Sequence, residues 1–114
     1  MKLTPLKNLF EQEVPIHAGS GSIYVHRTRN MVYFNAIQLR LNGLTPSDII
    51  CTIPQGYRPK RAIFSAPTSN REAIKSVTTL DISVVGTVTS QGDMAAGRHY
   101  ASLFWVTSDP PPAS

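Results

Sequence analysis

Asp48-Ile49-Ile50-Cys51-Thr52-Ile53-Pro54-Gln55-Gly56-Tyr57-Arg58-Pro59 decides how this chain folds. A short apolar strand runs into a proline, turns on a glycine and leaves through tyrosine, arginine and a second proline. Pro54 has no N–H to give a sheet ladder, so pairing stops there. Gly56 permits positive φ in the turn. Tyr57 can lay its ring on the core rim and keep its hydroxyl wet. Pro59 pushes Arg58 into an extended conformation ahead of the next strand. No catalytic chemistry follows from these residues; they read as a rigid corner between two sheets.

Strands flank the corner on both sides. Ser22 to Arg27 alternates, with Ile23 and Val25 on one face and Tyr24 and His26 on the other. Thr28-Arg29-Asn30 reads as a hairpin turn, with Asn30 able to take positive φ. Met31 to Leu41 is the longest strand. Its Ile37, Leu39 and Leu41 alternate with polar residues, but Val32 and Phe34 are out of phase, and a bulge near Asn35-Ala36 repairs the register. Asn42-Gly43 is a turn dipeptide. After the corner, Lys60 to Ala66 carries Ala62 and Phe64 on one face, Pro67 to Arg71 is a loop, and Glu72 to Val77 is a weak strand. Thr79 to Thr89 alternates through Leu80, Ile82 and Val84, and Gly86 marks a bulge or a close backbone approach. Ser90-Gln91-Gly92-Asp93 is a turn. His99 to Thr107 closes the fold with apolar residues on both faces: Tyr100, Phe104 and Val106 on one, Ala101, Leu103 and Trp105 on the other. Such a strand is central in a sandwich or sits at a subunit contact.

The fold class is therefore all-β, an antiparallel, jelly-roll-like β-sandwich with a short N-terminal helix or arm. Its 114 residues make one domain, and nine prolines and seven glycines suit short strands with turns. Residues 1–21 form an arm or stalk end and a Gly19-Ser20-Gly21 joint, 22–108 the sandwich, and 109–114 an extended proline-rich tail. Leu3, Leu6 and Phe10 have the three-four spacing of a coiled-coil seam, which Glu13 breaks. That seam is too short to stand alone. It is either the last turns of a trimeric stalk or an arm laid on the sandwich.

Ile53-Pro54-Gln55-Gly56-Tyr57-Arg58-Pro59 resembles a corner found in the C-terminal head domains of tail and baseplate proteins of phages that infect Gram-positive bacteria. Ile53 stands where leucine is commoner. Val84-Val85-Gly86-Thr87-Val88 and Leu103-Phe104-Trp105 stand where that family has its later strands, and the resemblance covers about residues 22 to 107. It implies a homotrimeric β-sandwich head. Such a head attaches the tail tip or baseplate of a virion to a bacterial cell-wall saccharide or teichoic-acid-like polymer, beside other tail proteins. The family's binding residues follow no motif, so none is carried over.

The chemistry in the sequence agrees with a binding role. A net charge of +4 suits an anionic polymer but is too small and scattered for nucleic acid. No run approaches the roughly 18 apolar residues that span a bilayer, so membrane insertion is not expected. No signal-peptide core is evident, so the expected route outside is a virion assembled in a host cytoplasm. Cys51 is the one cysteine, which excludes an intrachain disulfide, and it reads as a buried small hydrophobe. His17, His26 and His99 lack metal-ligand spacing, and enzyme motifs are missing, so no metal, cofactor or catalytic residue is expected. A glycosidase would need paired carboxylates, and nothing in the sequence brings Glu72 to Asp93. A saccharide needs an aromatic face and a few fixed polar groups. Asp93, Arg98, His99, Tyr100 and Trp105 have that composition, and Arg98 suits a phosphate. Tyr24, His26 and Arg58 are a second candidate face. Two other roles stay open: a structural trimerisation or connector domain, and a monomeric carbohydrate-binding module.

Overall fold

A computed structural model of the protein describes residues 9–41, 43–70, 78–92 and 97–112. These residues are all-β, as expected. The strands are β1 (Leu9–Val14), β2 (Ser20–Thr28), β3 (Met31–Arg40), β4 (Cys51–Thr52), β5 (Ile63–Pro67), β6 (Ser69–Asn70), β7 (Thr78–Ile82), β8 (Thr87–Gly92) and β9 (His99–Val106). They form two antiparallel sheets, one of five strands ordered β1-β2-β3-β9-β6 and one of four ordered β4-β8-β7-β5. The sheets sandwich one core. Ile23, Val25, Val32, Phe34, Leu39 and Trp105 line it from the larger sheet, and Cys51, Leu80, Ile82 and Val88 from the smaller. Each fully buried aliphatic or phenyl side chain contributes about 1.5–3 kcal/mol, and the alternation in β2 and β7 is what delivers them to one face.

The N-terminal expectation is settled for the residues described. Leu9–Val14 is a strand and not a helix, paired along its whole length with β2 from Leu9↔Thr28 to Val14↔Ile23. Of the two readings, the arm laid on the sandwich holds here; residues 1–8 lie outside the described residues. Pairing with β2 gives this edge strand a ladder along one side, whereas one and a half heptads of isolated helix could not hold stably. The Gly19-Ser20-Gly21 joint is likewise the start of β2, with Ser20 opposite Arg40. Beyond β1 the chain crosses sheets: Ile16 bridges to Cys51, and the His17 N–H donates to the Ile50 carbonyl.

The bulge in β3 exists, but two residues later than expected. The pairing with β9 changes register across Ala36 to Leu39 and that with β2 across Ile37 to Arg40, and Gln38 has φ +54°. Val32, Phe34 and Ala36 are buried before the bulge and Leu39 and Leu41 after it, so Ile37 faces outward. In the β2–β3 hairpin Arg29, not Asn30, takes positive φ, +56°. Arg27 Nε donates to the Arg29 carbonyl at 2.6 Å and holds that turn.

Ala62 and Phe64 share one face, as expected, and it points outward, while Ile63 packs on the core and Ala66 is buried. Two further expectations are corrected. Ser69–Asn70, expected in a loop, pairs with Tyr100 and His99 of β9. Ser90–Gly92, expected as a turn, is strand, and the turn between β7 and β8 is at Val84-Val85. The close approach expected at Gly86 is present: a Cβ there would stand 2.4 Å from the Ile53 carbonyl oxygen.

Candidate functional site

The corner itself is a closed structural unit. β4 stops at Thr52, and the Ile53 N–H donates once more, to the Gly86 carbonyl, before Pro54 ends the pairing. Gly56 has φ +103°, as the turn requires. Arg58 turns back and its Nε donates to the Ile53 carbonyl at 2.8 Å. Tyr57 is buried rather than resting on the rim, and burial raises its phenol pKa, with Arg27 nearby opposing and Glu11 adding to the rise. Its carbonyl accepts the Trp105 indole N–H at 2.7 Å. The proline-rich tail is docked here. Asp109 Oδ2 accepts the N–H groups of Gly56 and Arg58, and the Pro110 carbonyl accepts from Arg27. Arg58 is thereby committed to the corner, away from Tyr24 and His26 on the outer face of the large sheet, where His26 stands 3.9 Å from Glu11. The second candidate face is therefore not assembled.

The residues singled out between Asp93 and Trp105 are also split by the sheet. Strand alternation in β9 sends His99 and Trp105 inward and Tyr100 outward. His99 is fully buried, its Nδ1 3.1 Å from the Thr68 hydroxyl. Trp105 packs on Phe34, ring centroids 5.7 Å apart. Arg98 is half-buried ahead of the strand, and Asp93 lies outside the described residues. Trp105 and His99 thus serve the core instead of an open sugar platform. Only the rim of Trp105 reaches a surface cleft, of about 340 Å³, which it lines with Lys60, Arg61 and Val106. The Lys60 N–H donates to the Val106 carbonyl and ties the Lys60 main chain to the end of β9. Two side-chain cations against an indole rim and a valine suit a phosphate or carboxylate on an otherwise hydroxylated chain. Sequence pattern gave no hint of this cleft, because Lys60-Arg61 reads as an ordinary solvated strand start.

The outer face of the large sheet is the second feature. Tyr33 and Phe104 stand directly opposite each other on β3 and β9, ring centroids 6.1 Å apart, and are 48% and 66% exposed. Val106, 50% exposed, lies one cross-strand pair away, opposite Met31. Beside them the Ser102 hydroxyl donates to Asn35 Oδ1 at 3.0 Å. A contiguous aromatic and aliphatic surface in the middle of a sheet is the composition of an interface core.

Cys51 is buried and its thiol pKa is pushed up to about 12 by desolvation, the reverse of what a nucleophile needs. Among the described residues no group of three His, Cys, Asp or Glu side chains could hold a metal ion. Among the same residues no helix is long and apolar enough to cross a membrane. Comparison with family models, with curated proteins and with solved structures finds no match to this chain.

Proposed function

We propose that this chain is the receptor-binding head domain of a phage tail or baseplate protein. It acts as a homotrimer and attaches the virion to a saccharide or teichoic-acid-like polymer on a Gram-positive cell surface. The observation that carries the reading is the exposed Tyr33–Phe104–Val106 surface on a two-sheet fold that keeps the Ile53–Pro59 corner. A small domain gains from covering such a surface with copies of itself. The basic cleft at Lys60 and Arg61 supports an anionic polymer as one ligand. The site lies on the virion's tail tip, beside other tail proteins.

The test pairs light scattering on a sizing column with retention of the chain on purified Gram-positive cell-wall polymers. A trimer that is retained supports the reading. A monomer that binds no wall polymer sinks it.

A second reading is favoured by one observation: His99 and Trp105 are consumed by the core. In that reading the chain is a trimerisation or connector domain without a receptor of its own. Alanine at Lys60 and Arg61 would then leave adsorption of the virion unchanged. A monomer that binds polymer would instead indicate a carbohydrate-binding module.

A further inference from the structure

The smaller sheet carries an aromatic side chain that its own register has pushed out. β5 and β7 pair at Ile63↔Ile82 and again at Ala66↔Leu80, so three steps on β5 match two on β7. The extra residue is a bulge, and Ser65 within it has φ +57°. A serine in the left-handed region costs about 1–3 kcal/mol and persists only where its surroundings hold it. Here the holder is Asp81, whose Oδ1 accepts the Ser65 N–H at 2.8 Å. The outcome of the bulge is that Phe64 stands 76% exposed, more than any other large apolar residue described. Bulges commonly re-aim one side chain beside a functional site.

Phe64 forms one wall of a hollow of about 260 Å³ on the outer face of this sheet, together with Asp81, Ser83, Thr87 and Thr89. Ala62, Ile63 and Ile82 make the rest of its lining apolar, and the polar groups sit on β7, β8 and the turn between them. Thr89 stands opposite Asp81 across β7 and β8. Ser83 and Thr87 bond to each other through their hydroxyls at 2.6 Å. Among the described residues, Asp81 Oδ2 and the Thr89 hydroxyl have no hydrogen-bond partner and face a ligand with capacity to spare.

We infer that this hollow is a binding subsite for one uncharged sugar ring. An exposed phenyl face takes the apolar side of a pyranose, and a carboxylate with hydroxyls beside it takes the sugar hydroxyls. The volume is a little below the roughly 300 Å³ at which ordinary small-molecule pockets begin, which suits a single ring. Charge decides the ligand class. Asp81 repels a phosphate, so the phosphorylated part of a wall polymer belongs at the Lys60–Arg61 cleft instead. The inference rests on the saccharide-binding reading above and adds to it a second, neutral subsite.

The test is calorimetry and saturation-transfer NMR on the full chain with two purified probes: a neutral wall polysaccharide freed of phosphate, and a poly(glycerol phosphate). Asp81 is left intact because it holds the bulge. The expected result is that the neutral probe binds and that Phe64→Ala weakens it roughly tenfold. Thr89→Val weakens it severalfold. If the neutral probe binds equally well to Phe64→Ala, the hollow is not its site, though the receptor reading stands. Binding of poly(glycerol phosphate) alone has the same meaning. If Phe64→Ala lowers the mass of the assembly, the hollow is a subunit contact and the inference fails. If neither probe binds, both the inference and the receptor reading fail.

Discussion

Arg27 and Asp109 grip one residue of the corner from its two sides. Arg27 Nη1 donates to the Gly56 carbonyl at 2.6 Å, and Asp109 Oδ2 accepts the Gly56 N–H at 2.9 Å. The two residues are 82 positions apart in the chain, so the clasp ties β2 to the C-terminal segment through the turn between them. Arg27 is buried, and its guanidinium is satisfied by the carbonyls of Arg29, Gly56 and Pro110. A planar fork of donors fits several carbonyls at once, which a lysine ammonium does not.

Replacing Asp109 by alanine leaves the N–H groups of Gly56 and Arg58 without their acceptor. The expected loss is about 2–3 kcal/mol of stability, since hydrogen bonds to a charged group are worth more than neutral ones. Urea denaturation of wild type, Asp109→Ala, Arg27→Met and the double variant measures it. The two losses are expected not to add, because both act through Gly56.

Gly86→Ala puts a methyl 2.4 Å from the Ile53 carbonyl oxygen at a residue with φ +91°. Backbone cannot give way as a side-chain tip can. The expected cost is about 3 kcal/mol or more, from overpacking plus left-handed strain. Gly43→Ala is the control: its Cβ meets nothing within 4 Å, although its φ of +85° carries the strain alone. Thermal melts of the two variants separate the clash from the strain.

Cys51 and Tyr57 make the fold lose stability at high pH. The folded thiol keeps its proton up to a pKa of about 12, against an ordinary value of 9.0. Above the ordinary value the unfolded chain therefore holds fewer protons than the folded one, and stability falls as pH rises. The contribution is complete below about pH 9 and is lost progressively toward 12. Burial of the Tyr57 phenol acts with the same sign. A pH series of urea midpoints is expected to slope downward in this window, less steeply for Cys51→Ala. A thiol reagent is expected to label Cys51 only as fast as the protein opens.

Ser90 is fully buried on β8, and among the described residues its hydroxyl has no hydrogen-bond partner. An unmet buried hydroxyl costs about 1–3 kcal/mol, so Ser90→Ala is expected to stabilise the protein by about 1 kcal/mol after the small volume lost. A higher urea midpoint at unchanged slope is the signature. A lower midpoint would mean that the hydroxyl is satisfied by bound water.

Phe104→Lys places a charge in the exposed aromatic surface without touching the core, since the side chain points away from it. The expected result is an unchanged melting profile for the isolated chain and a lower mass on the sizing column. An unchanged mass would mean that this surface is not where copies meet.

Pattern in the sequence was enough for much of the scaffold. The period of two in Ile23 to Val25 and Leu80 to Ile82 assigned buried faces that the sandwich keeps. The phase conflict between Phe34 and Leu39 required a bulge in β3, and one is present at Ile37-Gln38, its position moved by pairing with two neighbours at once. Ala62-Ile63-Phe64 has no phase to read, because three apolar residues in a row fit either face. Packing alone decides which way the face shared by Ala62 and Phe64 turns, and it turns outward.

By itself the sequence determined an all-β chain and the corner at Pro54-Gln55-Gly56, and it marked Gly86 as a bulge or a close backbone approach. Those follow from residue-local physics: a missing N–H, an accessible positive φ and the alternation of a pleated strand. Only the tertiary structure decided that Leu9–Val14 is an edge strand, that Trp105 and His99 are spent on the core, and that the C-terminal prolines are docked on Gly56. Alternation sorts residues into two sets, but the second sheet chooses which set is covered. Partners as distant in sequence as Arg27, Gly56 and Asp109 meet only when the sheets close.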